Sequence, residues 1–154
     1  MKLYRLKRSQ HLPITIDNAW DFFSNPHNLH KITPAWLDLK ITNAIPEKMH
    51  AGMIIRYRVR PLFQIPTTWI SEITHAVEPA FLVDEMRSGP YRFWHHQHRF
   101  IEETDGIEVL DQVHYALRFG LLGQILHDMV IRAKLLEIFD YRRIALEKLF
   151  ESDR

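Results

Sequence analysis

Two periods divide the chain. Over most of residues 2–117 apolar and polar side chains alternate, whereas beyond Gly123 the apolar ones recur every three to four positions. Alternation places side chains on opposite faces of a strand and a period near 3.6 places them on one face of a helix, so the pattern predicts sheet followed by helix. Residues 2–9 form the first expected strand, with Lys2, Arg5, Lys7 and Arg8 as its solvent face against Leu3 and Leu6. Asp17 is placed to cap a short helix over NAWDFFS, because its carboxylate can accept an orphan N–H of the first turn. Trp20, Phe22 and Phe23 give that helix an apolar side. Pro26 stops it and opens a second short helix over HNLHKI, closed by Pro34.

Strands are then expected over WLDLKIT, MIIRYRVR, TTWISEIT, FLVDEMR, the stretch after the Gly89-Pro90 turn, and GIEVLDQVHYALRF. In MIIRYRVR, Met53, Ile55, Tyr57 and Val59 face inward and Arg56, Arg58 and Arg60 outward. Such alternation marks an antiparallel sheet with one wet face. Trp69 and Ile73 share a face, while the inward face of FLVDEMR is ambiguous. From Gln124 to about Ser152 there is no Pro or Gly, and Ile131, Leu135, Ile138, Ala145 and Leu149 share a face broadened by Phe139 and Leu146. This predicts one amphipathic helix roughly 40 Å long. The order predicts an α+β fold in which a curved antiparallel sheet of about six to seven strands wraps around the C-terminal helix, with two short helices after the first strand. Residues 1–154 are expected to form a single domain.

Composition narrows the function. The 154 residues are 46% hydrophobic, enough for a packed core. A net charge of +1 with histidines neutral gives no footprint for nucleic acid. The chain has no cysteine, hence no disulfide and no thiolate chemistry. The first residues lack the apolar run of a signal peptide, and no stretch reaches the roughly 18 apolar residues of a membrane span. A cytoplasmic location is expected; the oligomeric state is not legible.

Candidate chemistry concentrates in GPYRFWHHQHRF, residues 89–100. If Asp105-Gly106 makes a two-residue type I′ turn, Thr104 opposes Ile107 and the register follows. His98 then opposes Val113, His96 opposes Tyr115, Trp94 opposes Leu117 and Phe100 opposes Asp111. All eight share the inward face, while His95, Gln97, Arg99, Gln112 and His114 face solvent. Asp111 lies diagonal to His98, and a buried carboxylate demands a partner. His-x-His on a strand is also how strands present metal ligands, with Asp111 as the candidate third ligand, but no third histidine has ligand spacing, so a polar lining is preferred and no metal or cofactor is expected.

The residues WDFFSNPHNLHKITPAWL (20–37), Trp69 with Ile73, DEMRSGPYRFWHHQHRF (84–100), DQVHYAL (111–117), FGLLG (119–123) and FDYRR (139–143) together resemble the START-like, birch-pollen-allergen-like superfamily, often called SRPBCC. The resemblance covers essentially the whole chain and is strongest to small bacterial ligand-binding members. It implies a helix-grip fold and a small hydrophobic molecule held between sheet and helix. The expected lining is Tyr57, Trp69, Trp94, His96, His98, Phe100, Asp111 and Tyr115 from the sheet, with Met129, Ala133 and Leu136 from the helix. The apolar FGLLG loop is expected near the pocket mouth. The alternative implied by distant members is a cyclase- or dehydratase-type enzyme. There His96 or His98 is the base, Asp111 its orienting group and Tyr115 the acid or oxyanion donor. A third reading is an accessory domain whose pocket is filled by its own side chains.

Overall fold

The computed structural model describes residues 1–151. Strand β1 (Tyr4–Leu12) leads to helix α1 (Ile16–Phe23) and two 3-10 segments, Pro26–Ile32 and Ala35–Leu37. Strands β2 (Lys40–Ile41), β3 (Met53–Val59), β4 (Thr67–Val77), β5 (Phe81–Ser88), β6 (Phe93–Glu103) and β7 (Gly106–Ala116) follow. Helix α2 (Gly120–Leu126), a π turn (His127–Ile131) and helix α3 (Arg132–Glu151) complete the described chain. The seven strands form one antiparallel sheet in the order β1-β7-β6-β5-β4-β3-β2. The first strand pairs with the last, from Tyr4 opposite Tyr115 to Leu12 opposite Ile107. The α+β arrangement expected from the pattern, an antiparallel sheet with a long C-terminal helix, is the one found, and it is the helix-grip fold that the resemblance implies. The alternation in β3 is obeyed at every position, with Met53, Ile55, Tyr57 and Val59 buried.

Local chemistry moved several boundaries. Thr15, not Asp17, caps α1: its backbone is extended and its Oγ1 accepts from the Asn18 N–H at 3.2 Å. Asp17 lies inside the first turn, where its charge faces the positive end of the helix dipole. The expected strand over WLDLKIT shrinks to Lys40–Ile41 because Asp38 adopts a left-handed conformation, which Asp tolerates. The Asp38 carboxylate gathers Lys40 at 3.0 Å and Arg60 at 3.1 Å. In β1 the inward set is Tyr4, Leu6, Arg8, Gln10 and Leu12, so Leu3 is exposed. Arg8 leaves the solvent face and reaches Asp140 on α3 at 3.4 Å.

The β6–β7 hairpin turns one position earlier than expected. Glu103 pairs with Gly106, leaving Thr104 and Asp105 as the loop. Neither has positive φ, so the turn is not type I′. Gly106 is required by a different constraint: a Cβ there would collide with the Leu12 carbonyl of the neighbouring strand. The observed register opposes His98 to Asp111, His96 to Val113, Trp94 to Tyr115 and Phe100 to Val109. Every partner has moved by two residues, which preserves the faces; a slip of one would have inverted them.

The C-terminal helix begins at Gly120, not Gln124. Gly123 sits inside it because the Arg118 carbonyl leaves no room for a Cβ. Gly123, His127, Ile131, Leu135 and Phe139 are buried at successive steps of four. Steps of four rotate the contact face by about 40° each on a regular helix. The π turn at His127–Ile131 inserts a residue and absorbs that drift. Beyond it, Arg142 and Leu146 continue the buried face, while Leu149 is exposed and Ile138 and Ala145 lie at the margin. Ser152, the expected helix end, lies outside the described residues.

Two apolar clusters form the core. One centres on Leu12, Trp20, Ile55, Ile107, Val109 and Leu146. The other joins Tyr91, Trp94, Val113, Tyr115, Ile131, Leu135 and Phe139.

Candidate ligand pocket and its polar cluster

An interior space of about 180 Å³ opens where the two core clusters meet. The sheet contributes Tyr57, Trp69, Ile73, Leu82, Asp84, Trp94, His96 and His98, and α3 contributes Leu135, Ile138, Phe139 and Arg142. Phe23, Leu29, Ile32 and Leu37 from the short helices close it. Trp69, Tyr91 and Trp94 pack as an aromatic wall, with Trp69–Trp94 ring centroids 5.1 Å apart and Tyr91–Trp94 4.9 Å apart.

The expected residues divide. Tyr57, Trp69, Trp94, His96 and His98 line the space. Asp111 lies behind the histidines and not on the wall. Phe100 is buried in the core against Phe23 and Trp20. Tyr115 does not join His96; with the observed register it lies opposite Trp94, and its hydroxyl meets His127 Nε2 at 2.8 Å. Met129 and Ala133 are exposed, because the π turn and the phase of α3 carry them to the outside.

Sequence reasoning missed Asp84, Arg142 and His127. Asp84 sat in the strand of ambiguous face; pairing with β6 places it opposite His96. Arg142 falls within the apolar stripe of α3, and its position between Phe139 and Leu146 was the available signal.

The polar cluster is a ring of alternating imidazoles and carboxylates. Asp111 Oδ1 lies 3.0 Å from His96 Nε2 and 2.7 Å from His98 Nδ1. The second contact is out of line for a hydrogen bond. Asp84 Oδ1 lies 3.3 Å from His96 Nδ1 and 3.7 Å from His98 Nε2. The two histidine rings are 3.9 Å apart. Burial alone would lower the His98 pKa, but the Asp111 and Asp84 carboxylates override it and raise it to about 9. Burial would raise both carboxyls, yet the histidines hold Asp84 below the usual range, and His98, His96 and Arg142 do the same for Asp111. Burial and the nearby Asp84 charge push the Tyr57 phenol above its ordinary value.

Arg142 approaches Asp111 only to 3.8 Å. Its Nε and Nη1 are buried and make no hydrogen bond. A second, more open groove of about 510 Å³ is lined by Leu62, Phe119, Leu122 and Met129, among others. Pro61, Tyr91, Leu135 and Ile138 border both spaces and so form the partition between them. Phe119, Leu121 and Leu122 of the FGLLG loop are exposed.

No family model and no curated protein matches the chain. Solved structures do. A Thermus thermophilus protein matches at 15% identity over 97% of this chain and 99% of its own, with a TM-score of 0.70. Major latex-like protein 151 from Panax ginseng matches at 12% identity over 96% and 97%, with a TM-score of 0.69. Norcoclaurine synthase from Thalictrum flavum, in complex with dopamine and hydroxybenzaldehyde, matches at 13% identity over 99% and 89%, with a TM-score of 0.68. Among the described residues no helix is long and apolar enough to cross a membrane. At these identities the likeness is one of architecture alone, and that architecture is the helix-grip fold.

Proposed function

We propose that the protein binds a small, largely apolar molecule carrying one hydrogen-bond acceptor in the space between the sheet and α3. One observation carries this reading: the Arg142 guanidinium borders a largely apolar space, buried, with Nε and Nη1 making no hydrogen bond and Asp111 no closer than 3.8 Å. A buried charged donor left without an acceptor is costly. An acceptor on a ligand would repay that cost and fix the ligand's orientation. The size of the space limits the guest. A dry cavity of about 150 Å³ takes benzene, so about 180 Å³ suits a single ring with a short substituent. The fold neighbours support a pocket of this kind, since one of them holds two small aromatic molecules.

Native mass spectrometry of protein purified from its own host, with extraction of any bound molecule, tests the reading directly. Calorimetry with acetophenone and ethylbenzene tests its polar part. Acetophenone is expected to bind about tenfold tighter, from one charge-assisted hydrogen bond. That preference should vanish in Arg142→Met. Equal binding of the two rings by the wild type would remove the proposed role of Arg142. Uptake of neither, from a host protein that also carries no ligand, would remove the carrier reading.

The enzyme alternative draws on the same histidines. Its expected acid, Tyr115, is engaged by His127 and does not line the space, which favours binding without chemistry.

A further inference from the structure

The spacing of the Asp84, His96 and His98 donor atoms carries a second reading that goes beyond ligand uptake and does not rest on it. Oδ1 of Asp84 is 3.3 Å from His96 Nδ1 and 3.7 Å from His98 Nε2. Charge-assisted N–H···O bonds are shorter, at about 2.7–2.9 Å. Two ligand atoms about 2.0–2.1 Å from one tetrahedral ion lie about 3.3–3.4 Å apart. The donor atoms of all three side chains fall within 4.8 Å of one another. Asp84 and the two imidazoles are thus spread for a shared cation more closely than for direct bonds to each other.

The opposite side of the rings supports this. For each histidine, one nitrogen faces Asp84 and the other faces Asp111. Metal-bound histidines commonly give their second N–H to a carboxylate, which fixes the tautomer and turns the lone pair toward the ion. Asp111 is placed to take the His96 Nε2 hydrogen at 3.0 Å and its carboxylate lies 2.7 Å from His98 Nδ1, with Arg142 at 3.8 Å from the same oxygen. Asp84, His96 and His98 all border the interior space, whereas Asp111 does not.

We propose that Asp84, His96 and His98 bind one divalent first-row transition metal ion, with Asp111 orienting the two imidazoles and a fourth coordination position open to the interior space. Two imidazoles and one carboxylate with an open position form a donor set suited to zinc or ferrous iron. An oxygen donor, from water or from a molecule held in the space, would fill the open position.

A surface group provides the control. His11, Glu103 and Asp105 also lie within ligand distance of one another, but all three are exposed. The test uses chelator-treated, dialysed full-length protein. It is titrated with Zn²⁺ by calorimetry and with Co²⁺ by visible absorption. One equivalent of each is expected, with the intense visible bands of tetrahedral Co²⁺, displaced by Zn²⁺. Asp84→Asn and His98→Gln are near-isosteric and should each weaken binding at least a hundredfold. Asp111→Asn should weaken it by about 10–100-fold and shift the Co²⁺ bands while leaving one site. His11→Gln should change nothing. Circular dichroism of each variant separates lost binding from lost folding, and the wild-type titration stands even where a variant fails to fold. The proposal is overturned by the absence of a stoichiometric site in the wild type. It is equally overturned by binding that survives in folded Asp84→Asn and His98→Gln, or by binding lost in His11→Gln. The titration needs no organic ligand, so it can succeed where the uptake experiment fails, and the reverse.

Discussion

The cluster around His98 and the cluster around His127 each set a buried histidine against an aspartate, yet their carboxylates lie in different solvents. His127 is buried between Asp128 at Nδ1 and the Tyr115 hydroxyl at Nε2, both at 2.8 Å, with the Tyr4 ring stacked 3.7 Å away. The Asp128 side chain is 70% exposed, so its charge stays in water. In the His98 cluster the Asp111 side chain is only 9% exposed and shares one oxygen among two imidazoles and a guanidinium. The first cluster leaves only the Tyr4 hydroxyl unmet; the second leaves Arg142 Nε, Arg142 Nη1 and His98 Nδ1. A histidine with a wet carboxylate and a hydroxyl serves packing. A dry ring of charges with spare donors beside an interior space is tolerated where something else completes it.

The sharpest way to break this comparison is to remove the dry carboxylate. Asp111→Asn strands His98 and Arg142 as buried cations and should cost about 3–5 kcal/mol in urea denaturation. A cost near zero would show that water reaches the cluster. Next in size is the pH dependence of the metal-stripped protein. The folded pKa of His98 lies above its unfolded value of 6.5. The stability it contributes is therefore full below about pH 6.5 and lost as pH rises through about 9. The loss is on the order of 3 kcal/mol and should flatten in His98→Gln. Asp84 and Asp111 are depressed, so their contribution is present above the unfolded value of 3.8 and lost as pH falls below it.

Smaller effects are expected at the other cluster. Tyr115→Phe removes one hydrogen bond to His127 and should cost about 1 kcal/mol, with no change in uptake of single-ring probes. A change in uptake would join the two clusters functionally. Asp128→Asn should leave the urea midpoint essentially unchanged, because its charge is already solvated.

The sequence carried the architecture further than the site. Strict alternation in β3 and the apolar stripe of the last helix each follow from local geometry, and both were readable without coordinates. The hairpin register was assigned two residues out, yet His96 and His98 still point inward because an even shift keeps every face. The same shift separates Tyr115 from His96 and sets His98 directly across from Asp111. Met129 and Ala133 fail for a different reason: a π turn leaves no clear mark in a pattern of apolar residues.

What the sequence determined by itself is therefore the set of elements and the inward direction of the two histidines, since period and alternation are properties of neighbouring residues. Tertiary structure decided which groups meet. Asp84 comes from a strand whose own pattern is ambiguous, and Arg142 from a helix turn more than forty residues further along the chain than His98. Their approach depends on strand order, on the Gly106 close contact and on the phase of α3. Distances of a few ångströms between charges set whether those charges attract, repel or share an ion, and no periodicity along the chain encodes them.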